Sequence, residues 1–253
     1  MAIEVFNRAE KKFLITDEVF HMIKPRLEEY MALDAFSSKG DYYSISNIYY
    51  DTPDHAIIRK SIEKPIYKEK LRLRSYGIVG PRDKVYLEIK KKYNGQVNKR
   101  RTAMYLEDAC HYIEEHQRLK AKKPLSEQIL SEVDYFLIRY PDIRPMLYIS
   151  YDRIAMFGKE NSSFRITFDT NIRTRRNEVG LDRGNYGELL LPAGIWIMEA
   201  KITNTAPLWF AKLLSDYRIY PATFSKYGEE YKRALQRNEI DLSMTSKDKK
   251  MCV

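Results

Sequence analysis

Chemistry-bearing residues are densest in Lys68-Glu69-Lys70-Leu71-Arg72-Leu73-Arg74, followed by Tyr86-Leu87-Glu88-Ile89-Lys90. Side chains on a β-strand alternate between two faces. Lys68, Lys70, Arg72 and Arg74 therefore share one face, and Leu71 and Leu73 the other. On the next strand Glu88, Lys90 and Lys92 oppose Leu87 and Ile89. The same period of two recurs with Arg8, Glu10 and Lys12 near the start, and with Tyr151 and Arg153. It returns with Arg165, Thr167 and Asp169 against Phe164, Ile166 and Phe168, and with Glu199 and Lys201 against Trp196, Met198 and Ala200. Cations in such numbers, with a few carboxylates among them, suit phosphoryl transfer. That chemistry needs positive groups on nonbridging phosphate oxygens and a carboxylate-held divalent ion between β- and γ-phosphates. Arginine is the better tool because its planar fork matches two phosphate oxygens.

The elements that must position these residues read mainly as strands. A sheet curled around its charged face would turn that face into an interior. Thr16 to Met31 has helical apolar spacing, with Thr16 or Asp17 as N-cap, and Pro25 predicts a kink or a break into two short helices. A strand over Tyr42 to Tyr50 ends at Asp51-Thr52-Pro53, which starts a short helix to about Ile62. The basic hairpin spans Tyr67 to Tyr93, and Gln96 to Leu106 reads as a further strand. Glu107 to Gln117 and Ser126 to Tyr140 read as helices on either side of a basic linker, Leu119 to Pro124. Two strands meet around Gly158, Arg173 to Arg176 reads as a loop, and helices follow at Pro207 to Tyr217 and Phe224 to Arg237. Consecutive strands are joined too tightly for parallel crossovers, so the expected class is α+β with an antiparallel sheet. One domain is expected over residues 1–240, and the polar, Lys-rich 241–253 is expected to be a disordered tail.

The chain has 253 residues, is 44% hydrophobic and 31% charged, and carries a formal charge of +9. That composition suits a folded protein with an anionic partner. Its longest apolar run, Leu189 to Met198, is too short to span a bilayer and contains Pro192 and Gly194. With no signal peptide, a cytoplasmic location is expected. Cys110 and Cys252 lie outside any metal-ligand spacing, and His21, His55, His111 and His116 have no ligand partners. No GxxxxGK[ST] phosphate loop is present, and no Ser-His-Asp or Cys-His arrangement can be assembled. On residues alone, nucleic-acid binding stays open through Tyr67, Tyr76, Tyr86 and Tyr93 beside the basic positions.

Eight segments, in order from about Phe6 to Leu235, resemble a known family. They are Arg8-Ala-Glu10-Lys-Lys12-Phe, Ser46-Asn-Ile-Tyr49-Tyr-Asp51, Leu71-Arg72-Leu-Arg74-Ser-Tyr76-Gly77 and Leu87-Glu88-Ile-Lys90, then Tyr151-Asp-Arg153, Phe164-Arg165-Ile-Thr167-Phe-Asp169, Met198-Glu199-Ala-Lys201 and Phe224-Ser225-Lys226-Tyr227. Together they resemble the VTC (vacuolar transporter chaperone) domain, and within it the bacterial-type polyphosphate polymerases of the triphosphate tunnel metalloenzyme (CYTH-like) superfamily. The resemblance implies an eight-stranded antiparallel β-barrel-like tunnel with flanking helices. It implies transfer of the ATP γ-phosphate to inorganic polyphosphate with a divalent metal, Mn2+ or Mg2+. Position by position, Lys12, Arg72, Arg74, Lys90, Arg153, Arg165 and Lys226 match the catalytic, phosphate-gripping positions. Arg8, Lys70, Lys201, Ser225 and Tyr227 are further phosphate-binding candidates. Glu199 matches the metal carboxylate, with Glu10, Glu88 and Asp169 as additional candidates. Hydrolytic relatives open with Glu-x-Glu-x-Lys, where this chain has Arg8-Ala-Glu10-Lys-Lys12. A cation in place of the first carboxylate tilts the reading from triphosphatase to polymerase. A metal-dependent triphosphatase and a noncatalytic polyphosphate or inositol-phosphate binder remain the alternatives. Expected partners are ATP and inorganic polyphosphate or triphosphate, with no nucleic acid; the absence of a membrane segment leaves room for a membrane-protein partner.

Overall fold

The computed structural model describes residues 8–37, 42–115, 124–203 and 205–240. In chain order the elements are β1 (Arg8–Thr16), α1 (Asp17–Tyr30), β2 (Met31–Leu33), β3 (Tyr43–Asp51), α2 (Ala56–Ile62), β4 (Tyr67–Tyr76), β5 (Lys84–Tyr93), β6 (Gln96–Tyr105), α3 (Leu106–Glu114), α4 (Pro124–Arg139), β7 (Arg144–Gly158), β8 (Arg165–Arg175), β9 (Glu188–Leu189), β10 (Ile195–Thr203), α5 (Leu208–Asp216), β11 (Pro221–Ala222) and α6 (Lys226–Gln236). The fold is α+β, and its strands pair antiparallel, as the tight connections require.

The chain divides into two compact units. Unit 1 holds residues 1–44, 151–172 and 189–224, and unit 2 holds the remainder. In unit 1 the strand order is β11-β1-β10-β8-β7, with β2 also on β7. Its core is Phe13, Phe20, Ile23, Leu27, Ile166, Phe168, Trp196, Met198 and Phe210 with their neighbours. Phe20 of α1 stacks on Trp196 of β10, ring centroids 3.9 Å apart, and the indole N–H donates to Asp17 at 2.8 Å. In unit 2 the order is β7-β3-β4-β5-β6. Leu71, Leu73, Val85, Leu87 and Ile89 turn the apolar face of β4 and β5 onto α3 and α4 through Ala109, Ile113, Val133 and Phe136. Each such side chain contributes about 1.5–3 kcal/mol on burial. That apolar layer fixes the strand register, because a slip of one residue would bury the cations instead.

Among the described residues the eight long strands that the resemblance implied are present, and three short ones, β2, β9 and β11, bring the total there to eleven. The sheet is not closed. Its order ends at β6 and at β11. Pro221 has no N–H to offer a further strand, and β6 is exposed along most of its length. Two local expectations also change. Helix α1 runs unbroken from Asp17 to Tyr30 with Pro25 inside it, capped by Thr16, whose Oγ1 accepts from the Val19 N–H at 3.4 Å. Pro25 lies on the exposed side, where water can satisfy the freed carbonyl, while Phe20, Ile23 and Leu27 anchor the helix on the core. Arg173 to Arg175 belong to β8 rather than to a loop. Arg175 is buried between the rings of Tyr148 and Tyr186 and donates to the carbonyls of Glu178, Gly180 and Tyr186, so it pins the following segment. The 241–253 segment, Cys252, His116 and most of the expected basic linker lie outside the described residues.

Candidate functional site

In unit 2 the charged face of β4, β5 and β6 is built in rows. Arg72, Glu88 and Arg101 are cross-strand partners in one row, and Lys70, Lys90 and Lys99 in the next. The first row alternates in sign. The second sets three lysines side by side in register, a row of like charge that an anion would relieve. Glu88 is almost wholly buried and anchors the group. Arg72 donates to it through Nε at 2.5 Å, Lys99 Nζ lies 2.8 Å from Oε1, and Arg74 Nη1 lies 3.7 Å from Oε1. Burial would raise its pKa, but Arg72, Arg74 and Lys99 outweigh burial and hold the carboxyl at about 2. Three cations around one carboxylate leave a local excess of positive charge. Lys99 registers that excess. Desolvation of its ammonium end and repulsion from Arg72 push its pKa down to about 7, although the side chain as a whole keeps 39% exposure. Burial lowers Lys70 to about 8, with repulsion from Lys68 and Lys90 adding to it.

The arginine forks are held by neighbours on β3. Arg74 Nε donates to Asn47 Oδ1 at 3.0 Å, and Asn47 Nδ2 donates to the Ile149 carbonyl at 3.1 Å. Arg72 Nη1 donates to the Tyr49 hydroxyl at 3.2 Å. Helix α6 opens at Ser225, whose Oγ accepts from the Gly228 N–H at 3.3 Å. Lys226 begins α6 and is half-buried. Tyr227 is buried, and its hydroxyl donates to Asp51 at 2.7 Å. The Asp51 carboxylate also accepts from the Ile57 and Ile58 N–H groups, so one buried residue caps α2 and ties α6 to it. The hydroxyl of Tyr227, a phosphate-binding candidate by sequence, is thus engaged by Asp51. Lys70 Nζ lies 5.6 Å from its ring centroid, so the ring also contacts a second phosphate candidate.

In unit 1, β1 and β10 place Lys12 opposite Glu199 and Glu10 opposite Lys201. The result is a checkerboard. Lys12 Nζ is 3.5 Å from Glu10 and 3.7 Å from Glu199, and Lys201 Nζ is 3.6 Å from Glu199. Lys12 also donates to the Phe224 carbonyl at 3.1 Å. Arg153 makes a bidentate pair with the buried Asp169, at 2.6 and 2.8 Å. Burial opposes the Arg153 cation, but Asp169, Tyr151 and Glu199 outweigh it and raise its pKa well above the ordinary arginine value. Arg165 stands opposite Lys201 in register and reaches Asp34 at 3.2 Å. The backbone of Arg8 pairs with Thr203, while its side chain lies outside the described residues. His55 sits in the left-handed region just before α2, and burial and Arg176 lower its pKa to about 4, so it is neutral and structural.

All four metal-ligand candidates have cation partners, Glu199 through Lys12 and Lys201. Glu88 and Asp169 are bound tightly by cations, and Glu10 shares Lys12 with Glu199. Among the described residues no three His, Cys, Asp or Glu side chains group as a metal cage. A divalent ion bound to phosphates needs only one or two protein carboxylates, and Glu199, with Glu10 beside it, fits that requirement. Lys99, Asn47 and Arg101 are the residues that sequence reasoning missed. Their signal lay in the β5–β6 register and in side-chain contacts rather than in any motif.

The VTC domain family model matches residues 7–235 of the chain. A vacuolar transporter chaperone complex subunit 4 of Trypanosoma cruzi is 25% identical over 223 residues, covering 73% of this chain and 27% of that protein. The chain therefore spans about a quarter of the length of that relative. Two solved structures share the fold at 14% identity. One is a candidate adenylate cyclase of Bacillus halodurans, with a TM-score of 0.54 over 85% of this chain and 92% of that one. The other is a candidate adenylyl cyclase of Hippeastrum described as having a dominant triphosphatase activity, with a TM-score of 0.51 over 93% and 98%.

Proposed function

The chain belongs to the VTC-domain family, and from that premise we propose that it is a polyphosphate polymerase using ATP and a divalent metal, Mn2+ or Mg2+. The observation that carries the reading is the excess of fixed cations over free carboxylates in unit 2. Arg72, Arg74 and Lys99 surround a single neutralising Glu88, with Lys70 and Lys90 in the adjoining row. Such a surface fits a polyanion and has charge to spare. Arg72 and Arg74, held by Tyr49 and Asn47, present forks to nonbridging phosphate oxygens. Lys70, Lys90 and Lys99 add point charges. In unit 1, Lys12, Lys201, Arg153 and Arg165 are the corresponding cations, and Glu199 is the carboxylate for the metal. When bound, the metal neutralises charge on the donor phosphates as a Lewis acid.

The reaction needs no covalent enzyme intermediate. A terminal oxygen of the growing chain, or of free phosphate, attacks the γ-phosphorus in line, the bond to the β-bridging oxygen breaks, and ADP departs with that electron pair. The residues orient both phosphates and disperse the charge that develops, and positioning and electrostatics supply the rate. Arg8 in place of the first carboxylate of hydrolytic relatives favours retention of a long product. The second reading, metal-dependent hydrolysis of a triphosphate, is favoured by Glu10, which keeps a carboxylate beside Glu199. No helix among the described residues is long and apolar enough to cross a membrane. A cytoplasmic setting, which supplies ATP, fits this reading, and a membrane-embedded partner for the polymer is compatible with it. Incubation with ATP and Mn2+ followed by gel sizing tests the proposal. A ladder of long polyphosphate supports it, and orthophosphate alone overturns it.

A further inference from the structure

We propose that a cavity in unit 2, between α3 and residues 178–183, is a binding site for an aliphatic oligoamine. The cavity has a volume of about 550 Å³. Its floor is apolar, formed by Ile48, Leu106, Val179 and Leu181, and four carboxylates, Glu107, Glu114, Glu178 and Asp182, stand around it against one cation, Arg183. In a chain of charge +9 this is a local inversion of sign. Glu178 accepts from the Tyr186 hydroxyl, and Asp182 has Arg183 at 3.5 Å. The carboxylates of Glu107 and Glu114 have no ion pair or hydrogen bond among the described residues.

A second observation points to a ligand independently of the carboxylates. Tyr50 lines the cavity and is only 2% exposed, yet its hydroxyl has no hydrogen-bond partner among the described residues. The hydroxyl is not sealed from solvent, so with no partner among those residues it is open to a polar group bound in the cavity. Burial, with Cys110 and Glu114 nearby, pushes the phenol pKa up, and burial and Glu114 hold the Cys110 thiol at about 11. Both groups are therefore neutral, so the site is equipped for binding rather than nucleophilic chemistry.

The lining discriminates among ligands. Phosphates and nucleotides are repelled by the carboxylates. A bare divalent ion needs several oxygens around one point, and no such group exists among the described residues. A plain hydrocarbon would leave the Tyr50 hydroxyl unsatisfied. Methylene segments carrying more than one ammonium meet every feature. The methylenes lie on the apolar floor, the ammoniums face Glu107 and Glu114, and an amine N–H reaches Tyr50. The site shares no residue with the phosphate candidates, so it stands or falls apart from the polymerase reading.

Calorimetric titration of the full chain with spermidine, free of nucleotide, tests it. Binding at one site is expected. The Glu107→Gln/Glu114→Gln double variant should weaken it by about 5- to 30-fold, the sum of two rim ion pairs. Tyr50→Phe, which keeps the ring and the packing, should weaken it by about threefold or more through the lost hydrogen bond. The neutral analogue 1,8-octanediol should not bind. Absence of spermidine binding, wild-type affinity in either variant, or full displacement by Mg2+ at equal charge would overturn the proposal.

Discussion

Glu88→Gln removes one negative charge from the centre of the unit 2 cluster and keeps the side-chain shape. The carboxylate is 1% exposed and lies 2.5 Å from Arg72 Nε, 2.8 Å from Lys99 Nζ and 3.7 Å from Arg74 Nη1. These cations hold its pKa at about 2, against an ordinary value of 4.5 and against burial. A difference of that size corresponds to about 3 kcal/mol of folding stability. Removing one partner of a buried ion pair independently costs about 3–5 kcal/mol. For a chain of this length, about 3 kcal/mol should lower the melting temperature by about 6–12 °C. Because the folded pKa is depressed, the stabilisation is present above pH 4.5 and is lost as pH falls toward about 2, so wild type and variant should converge over that window. The variant leaves three cations without their counter-charge, and a bound polyanion supplies one. Saturating tripolyphosphate should therefore raise the melting temperature of the variant by more than that of wild type, in matched thermal-denaturation scans. A variant within about 1 °C of wild type, or equal ligand shifts in the two proteins, would refute Glu88 as the counter-charge of an anion site.

Glu199→Gln should lower metal-dependent turnover by about 100-fold or more while polyphosphate binding persists, since the carboxylate serves the metal and its loss leaves Lys12 and Lys201 freer for phosphate; near wild-type turnover would place the metal elsewhere. With a Lys99 pKa of about 7, phosphate binding should take up a proton above that pH, because the ligand favours the ammonium. Relative to Lys99→Arg, wild-type affinity should then fall as pH rises from about 6 to 9, measured by titration in buffers of different ionisation enthalpy; parallel profiles would mean that Lys99 does not titrate on binding. Tyr227→Phe should cost about 1–3 kcal/mol through the orphaned Asp51 contact, read by chemical denaturation, with polyphosphate affinity unchanged; a large loss of affinity would make Tyr227 a phosphate ligand after all.

The alternation on β4, β5, β8 and β10 was legible because one face of each strand is apolar and buried, which makes the period of two visible. It placed Arg72, Arg74, Glu88, Arg165 and Glu199 on the charged faces of those strands. Lys99 escaped because β6 is exposed along most of its length, and Asn98 to Arg101 is polar on both faces. Asp51 and Tyr227 meet across 176 positions of sequence. Only tertiary structure brings them together, so Tyr227 read as part of a phosphate motif. Arg175 read as part of a loop because its neighbours are polar, and the carbonyls that satisfy it come from a segment with no pattern of its own. Pro25 read as a breaker, and local propensity lost to the packing of Phe20, Ile23 and Leu27.

The central claim is that the γ-phosphate of ATP passes to phosphate rather than to water. Its most direct test follows the label from ATP carrying 32P at the γ position, with Mn2+, and separates acid-insoluble polymer from orthophosphate over a single turnover. Most of the label should enter polymer and remain bound to the protein at low salt. Label found only in orthophosphate, with unlabelled triphosphate cleaved alongside, would contradict the account and make the protein a triphosphatase.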